Sequence, residues 1–132
     1  MKKVVKIVLS IIVVISLVVI IGLSAMKKNA DEAMKNQINV EIDMSKVEDG
    51  TYEGTSDGGM VKVEVKVEVK DHKITNIELV KHENGKGKPA ESMIDDMVKE
   101  NTYDVDCVSG ATLSSKTIKN AVNKALQKGL TN

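Results

Sequence analysis

Asp106, Ser109, Gly110, Ala111 and Thr112 fall within seven residues, "DCVSGAT", directly ahead of a helical pattern. Small side chains there let an anion approach the backbone. The free amides and the positive dipole end of the helix that follows attract a phosphate. Two hydroxyls, on Ser109 and Thr112, flank the glycine and alanine. A plainer account uses the same residues as a capped turn, with Ser114 or Ser115 accepting from the first helical amides. Neither a P-loop, nor a dinucleotide glycine fingerprint, nor G-x-S-x-G is present, so the pattern leaves open a phosphate site or a structural cap.

Other chemistry-bearing residues are sparse. The single cysteine, Cys107, can form no internal disulfide and has no zinc-ligand spacing around it, so it is expected to be a small packing residue. His72 falls at a turn tip and is expected to be solvated. The acids and glycines of "DGTYEGTSDGG" lack the alternating ligands of a calcium loop and are assigned to turns around a strand near Tyr52.

The elements that must hold these residues follow from periodicity. "MVKVEVKVEVK" alternates strictly, with Val61, Val63, Val65, Val67 and Val69 on one face and Lys62, Glu64, Lys66, Glu68 and Lys70 on the other. Such alternation predicts a half-buried strand. Asp71-His72 turns it back into "KITNIELVKH", completing a hairpin. Pro89 suits a first helical position, and Ala90, Met93, Ile94, Met97 and Val98 share the inner face of a helix over 89–100. A short strand at "TYDVD" leads to the motif. A last helix, about Ser114 to Lys128, buries Ile118, Ala121, Val122, Ala125 and Leu126, with Gly129 ending it as a C′ residue. The fold class is α+β: an antiparallel hairpin or sheet packed against two helices, preceded by one N-terminal transmembrane helix.

That leading helix rests on "IVLSIIVVISLVVIIGL", Ile7 to Leu23, which has no charge in 17 residues and which Val4 and Val5 extend. The run approaches the roughly 20 apolar residues that cross a bilayer. Lys2, Lys3 and Lys6 precede it, so the positive-inside rule puts the remainder outside the cytoplasm. Gly22-Leu23-Ser24 offers the alternative of a cleaved signal peptide, but the run exceeds a signal core and a retained anchor is expected. The organisation is thus an anchor over 1–25, a tether over 26–48 and a domain over 49–130. A flexible tether of that length would reach about 25 Å.

Past the anchor, 16 lysines face 19 acids, a net charge of −3, and there is no arginine. Nucleic acid is excluded as a partner by that balance. With no Phe, no Trp and two Tyr, the core is poor in aromatic area, and a ligand held only by the folded form would stabilise it.

"DCVSGAT" also resembles the flavinylation motif D-x-x-[S/T]-G-A-T of the FMN-binding domain family, found in subunits of sodium-pumping NADH:quinone oxidoreductase and Rnf-type electron-transport complexes. The likeness extends from "DGTYEG" through "HENGKGKPAE" to "VDCVSGATLSSKTIKNAVNKAL". It implies that Thr112 is the acceptor of a phosphoester to FMN, added by a separate flavin transferase with FAD as donor and magnesium as its metal. Asp106, Ser109, Gly110 and Ala111 match the rest of the motif. His82, Glu83, Gly85 and Gly87 match an H-E step and glycine turn near the flavin, although Asn84 and Lys86 depart from the common form. The implied protein is an electron-transfer flavoprotein more than an enzyme with its own substrate. Its expected partners are the lipid bilayer and a membrane donor such as a quinone-linked or NADH-linked reductase. The alternative is a non-redox extracytoplasmic binding domain that is not flavinylated.

The valine alternation makes a prediction of its own. Val65→Asp places a charge on the inner face and should abolish cooperative folding. Lys66→Glu, on the wet face, should change stability by no more than about half a kcal/mol. Thermal melts of the two variants check the facing, which the reverse ranking would put out by one residue.

Overall fold

A computed structural model describes residues 1–35, 37–83 and 88–131. It begins with a single helix, α1 (Lys2–Lys35), whose most apolar window has a mean hydropathy of 3.2. Its length and composition suit a membrane span. The apolar side chains from Val4 to Leu23 are exposed, as a lipid-facing segment requires. The helix continues past the apolar run to Lys35, further than the hydropathy alone indicates.

Three antiparallel strands follow in the order β1 (Gly50–Asp57), β2 (Lys62–Lys70) and β3 (Lys73–Glu83). All five alternating valines of the β2 pattern are buried, as their period requires. Asp71 and His72 both adopt positive φ, 52° and 60°, the pair of left-handed residues that a two-residue hairpin needs. His72 is not simply solvated: its Nδ1 lies 2.9 Å from the Val47 carbonyl oxygen and ties the hairpin tip to the preceding segment.

One face of the sheet is covered by α2 (Met93–Glu100), lying on β3, and α3 (Thr112–Gln127), lying on β1 and β2. Ile118, Ala121, Val122, Ala125 and Leu126 of α3 are completely buried, each apolar side chain beyond alanine contributing roughly 1.5–3 kcal/mol. Met93 and Met97 fill the core beneath α2. Pro89 opens a 3₁₀ turn over Lys88–Ser92 instead of the α-helix itself, which starts at Met93. "TYDVD" forms no strand but an irregular approach to α3, with Val105 buried and Tyr103 packed partly buried against the core. The last helix starts at Thr112, two residues earlier than its apolar period suggests. Gly129 lies outside the left-handed region and is needed for space: a Cβ there would sit 2.6 Å from the Tyr52 ring.

The segment after α1 does not swing as a free tether. Gln37 to Val40 lie along α3 as a strap, held by a row of polar side chains. Gln37 Nε2 donates to Thr117 Oγ1 at 3.2 Å. Asn120 Nδ2 donates to the Ile38 carbonyl at 3.2 Å and to Asn39 Oδ1 at 2.9 Å. Asn123 bonds both backbone groups of Val40, accepting from its N–H at 3.0 Å and donating to its carbonyl at 2.6 Å, as a neighbouring strand would. Thr117, Asn120 and Asn123 are fully buried, so these partners remove what would otherwise be a heavy desolvation cost. The chain then turns through Met44–Lys46, where the hydroxyl and amide of Ser45 hold the Asp43 carboxyl below its usual range. Val47 then pairs with Leu130.

Among the described glycines the tightest site is Gly54 of β1, where a Cβ would collide with the Ala121 carbonyl oxygen and lie 2.8 Å from the Ala125 amide. Both neighbours are helix backbone and cannot rotate away. Gly54→Ala should therefore cost about 3 kcal/mol or more despite the better strand propensity of alanine. Denaturant unfolding measures this, and a neutral result would mean that α3 does not sit on β1.

Candidate functional site

The motif is held by a turn and a serine brace. Ala111 N–H donates to the Val108 carbonyl at 3.0 Å, closing a four-residue turn with Gly110 in third position at φ 80°. That is the left-handed position a type II turn assigns to glycine. Ser115, one turn into α3 and completely buried, donates from Oγ to the Ala111 carbonyl at 2.7 Å and accepts from Val108 N–H at 3.0 Å. Ser115 thus staples the turn to the helix, a role different from the amide cap that its position suggests. The other cap candidate, Ser114, is also buried and engaged, its Oγ lying 3.0 Å from His82 Nε2.

Among the described residues no side chain caps α3. Its first amides, those of Thr112, Leu113 and Ser114, therefore keep the unsatisfied character of any helix start. Thr112 is exposed, and its hydroxyl makes no hydrogen bond among the described residues. Of the four hydroxyls from 109 to 115, two are committed inside the fold, and Ser109 and Thr112 remain exposed. Thr112 is the one that stands on the helix, with Lys116 one turn behind it on the same side. A group anchored at Thr112 has room, since nothing lies within 4 Å of a Cβ position at Gly110.

His82 reaches the motif through a change of strand register. Two bulges interrupt the β2–β3 pairing, one of them placing Val65 opposite Leu79 and Glu64 opposite Lys81. Val80 is left over and exposed, and the following residues change faces. His82 consequently points inward opposite Val63, with 2% of its side chain exposed and Nδ1 3.0 Å from Glu91 Oε1. Glu83 faces outward and pairs with Lys81 at 3.1 Å, away from the Thr112-bearing helix. Asp106 is exposed beside the turn. Gly85 and Gly87, together with Asn84 and Lys86, lie outside the described residues.

Cys107 is exposed, contrary to a packing role. It lines a cavity of about 290 Å³ with Gln37, Asn39, Lys116 and Lys119, next to the start of α3. This is near the lower end of small-molecule sites, and its lysines would favour an anion. Lys119 is held against Asp104 at 2.6 Å, which leaves Lys116 as the exposed cation of the pair. Gln37 and Asn39 were not legible as lining residues, because they reach the cavity only through the strap. A larger cavity, about 330 Å³, opens between Thr55, Lys62, Lys81 and Lys124. It contains none of the motif residues, and the motif-adjacent cavity is the better candidate for that reason. Among the described residues, no cluster of His, Cys, Asp and Glu could hold a metal ion.

Ser115→Ala removes a hydroxyl that serves two backbone groups in a fully buried place. It should lower stability by about 1–3 kcal/mol, more than a lost cap, by leaving Val108 N–H unpaired. Denaturant unfolding checks this, and a loss below a few tenths of a kcal/mol would show that the turn holds without its brace.

No curated protein matches the chain. Residues 58–127 match the FMN-binding domain, a span that takes in β2, the bulged end of β3, α2, the motif and all of α3. With more than half its length matched, the chain belongs to the FMN-binding domain family.

Proposed function

We propose that this membrane-anchored FMN-binding domain carries its cofactor covalently, as a phosphoester on Thr112, and serves as an extracytoplasmic electron carrier. The observation that carries the proposal is the state of the Thr112 hydroxyl. Among the described residues it is exposed and unbonded at a helix start that no side chain caps, whereas the hydroxyls of Ser114 and Ser115 are buried and occupied.

The residues present fit the group. The first amides of α3 and the helix dipole stabilise the single negative charge that a phosphodiester retains. Gly110 leaves open space beside the turn that a phosphate on Thr112 could use, and Lys116 would add a positive charge one turn along. The cavity of Gln37, Asn39, Cys107, Lys116 and Lys119 provides the adjoining surface for the remainder of the ligand. His82, clamped between Glu91 and Ser114, fixes the first turn of α3 against β3 and so positions the Thr112 hydroxyl. When bound, FMN supplies one- and two-electron redox chemistry, and the polypeptide sets its orientation and access. Attachment by a flavin transferase exchanges the pyrophosphate bond of FAD for the Thr112 Oγ–P bond, releasing AMP and the hydroxyl proton. Asp106, exposed at the edge of the turn, is then available for that enzyme to read. A covalent link suits a compartment outside the cytoplasm, where a dissociated flavin would not be replaced. The lysines ahead of α1 favour that side.

Co-expression with a flavin transferase and FAD tests the proposal by intact mass and peptide mapping. The unmutated protein should gain one esterified FMN on Thr112. Thr112→Val keeps the shape and β-branching and should abolish the added mass with little change in melting temperature. Asp106→Asn should reduce attachment. Absence of the added mass, or its location on Ser109, defeats the assignment of Thr112.

A further inference from the structure

The strap determines which end of the domain faces the membrane. It runs parallel to α3: Gln37 meets Thr117, Ile38 and Asn39 meet Asn120, Val40 meets Asn123, and Val47 meets Leu130. The strap therefore enters at the N-terminal end of α3, which carries Thr112, and leaves at the opposite end, where the β2–β3 hairpin turns at Asp71 and His72. A single residue separates Lys35, the end of α1, from Gln37. Two further contacts fix this junction. The end of α1 touches α3, with Ala33 half-buried. Gly58, at the β1–β2 turn, leaves a space in which a Cβ would lie 2.5 Å from Thr117 Oγ1 and 3.3 Å from Gln37 Nε2. The apolar length of α1 packs on nothing and leaves the domain at this end.

We infer that the strap holds the Thr112 end of the domain toward the bilayer, and that the redox partner is an integral membrane protein whose own centre stands at the membrane surface. The inference rests on the carrier reading for its partner, and for its orientation on the strap's bonds and the junction contacts, which are independent of that reading. Height selects the partner class. From Leu23 to Lys35, α1 rises about 18 Å, and headgroups take up about 5–8 Å of that. The site is thus held clear of the hydrocarbon, beyond direct reach of a quinone dissolved there. A protein that rises out of the same membrane can meet it. The far end of the sheet lies about 30 Å away, the length of β2, and would present the hairpin tip to a partner in the aqueous phase.

The native Cys107 is an exposed label site at the Thr112 end, and it is the only cysteine. Full-length protein made without the transferase is labelled there with a fluorescent donor and placed in vesicles that carry an acceptor on their lipid headgroups. A Cys107→Ser, Asp71→Cys chain reports from the hairpin tip. Energy transfer should be several-fold greater from residue 107 than from residue 71. Equal transfer, or stronger transfer from 71, overturns the orientation. A ten-residue Gly-Ser insert after Lys35 leaves every strap contact in place, so melting should be unchanged while the difference between the two labels falls. The same insert in flavinylated protein should slow reduction by native membranes several-fold, through loss of held geometry, with reduction by dithionite unaffected. An unchanged membrane-driven rate overturns the partner. A chain that gains no FMN mass yet keeps the transfer difference defeats the carrier reading and leaves the orientation standing.

Discussion

α3 lies so close to β1 that position 54 can hold only a hydrogen atom as its side chain. That contact sets the height of the helix over the sheet. Alanines at 121 and 125 suit such a distance, and larger residues could not replace them without lifting the helix. The remaining features take their positions from it. The start of the helix is brought level with the bulged end of β3, so that Ser114 meets His82. Its flank is placed where the strap can run, and its end meets Tyr52, Val47 and Leu130. A core without Phe or Trp makes this tight seat necessary, because small side chains gain their stabilisation from close packing over a wide area.

A second constraint is the burial of amides. Thr117, Asn120 and Asn123 are polar residues inside a small domain, each placed where an unpaired group would be costly. Every one is bonded. Asn120 accepts from Ser56 Oγ at 2.8 Å while donating to the strap, and Gln127 Nε2 donates to Asn123 Oδ1 at 2.7 Å. The network joins β1, α3 and the juxtamembrane segment in one arrangement, and substitution of either asparagine would leave partners unpaired on both sides. Amides suit this task better than charged groups, because they donate and accept without bringing an ionised atom into the interior.

Much of this was legible in the chain itself. The valine alternation yielded the strand and its facing, the apolar spacing yielded α3, and the motif with its small residues pointed to the start of that helix. Three features were hidden for physical reasons. A bulge adds a residue without a sequence mark of its own, so the inward turn of His82 and the outward turn of Glu83 could not be read from period two. "TYDVD" is β-prone locally, but its inward residues, Val105 and the partly buried Tyr103, are satisfied by the core without a strand partner. The strap looked like a tether because its bonds are to residues 80 or more positions away. A signal did exist on the other side of that contact: Thr117, Asn120, Asn123 and Gln127 form an uncharged polar stripe along one flank of a helix in an otherwise highly charged chain.

That long separation also governs how the protein matures. The strap is synthesised before the sheet, and the helix that receives it follows all three strands and α2. Val47 waits in the same way for Leu130. Until residue 127 is available, the sheet has no cover over β1, and the polar stripe has nothing to hold. Contacts of such sequence separation close slowly, because the intervening chain must be ordered first. The helix that closes the sheet is also the one that begins with Thr112, so that hydroxyl takes up its final setting only when α3 is complete. A chain truncated within α3 would keep Thr112 but lose the polar stripe that latches the strap.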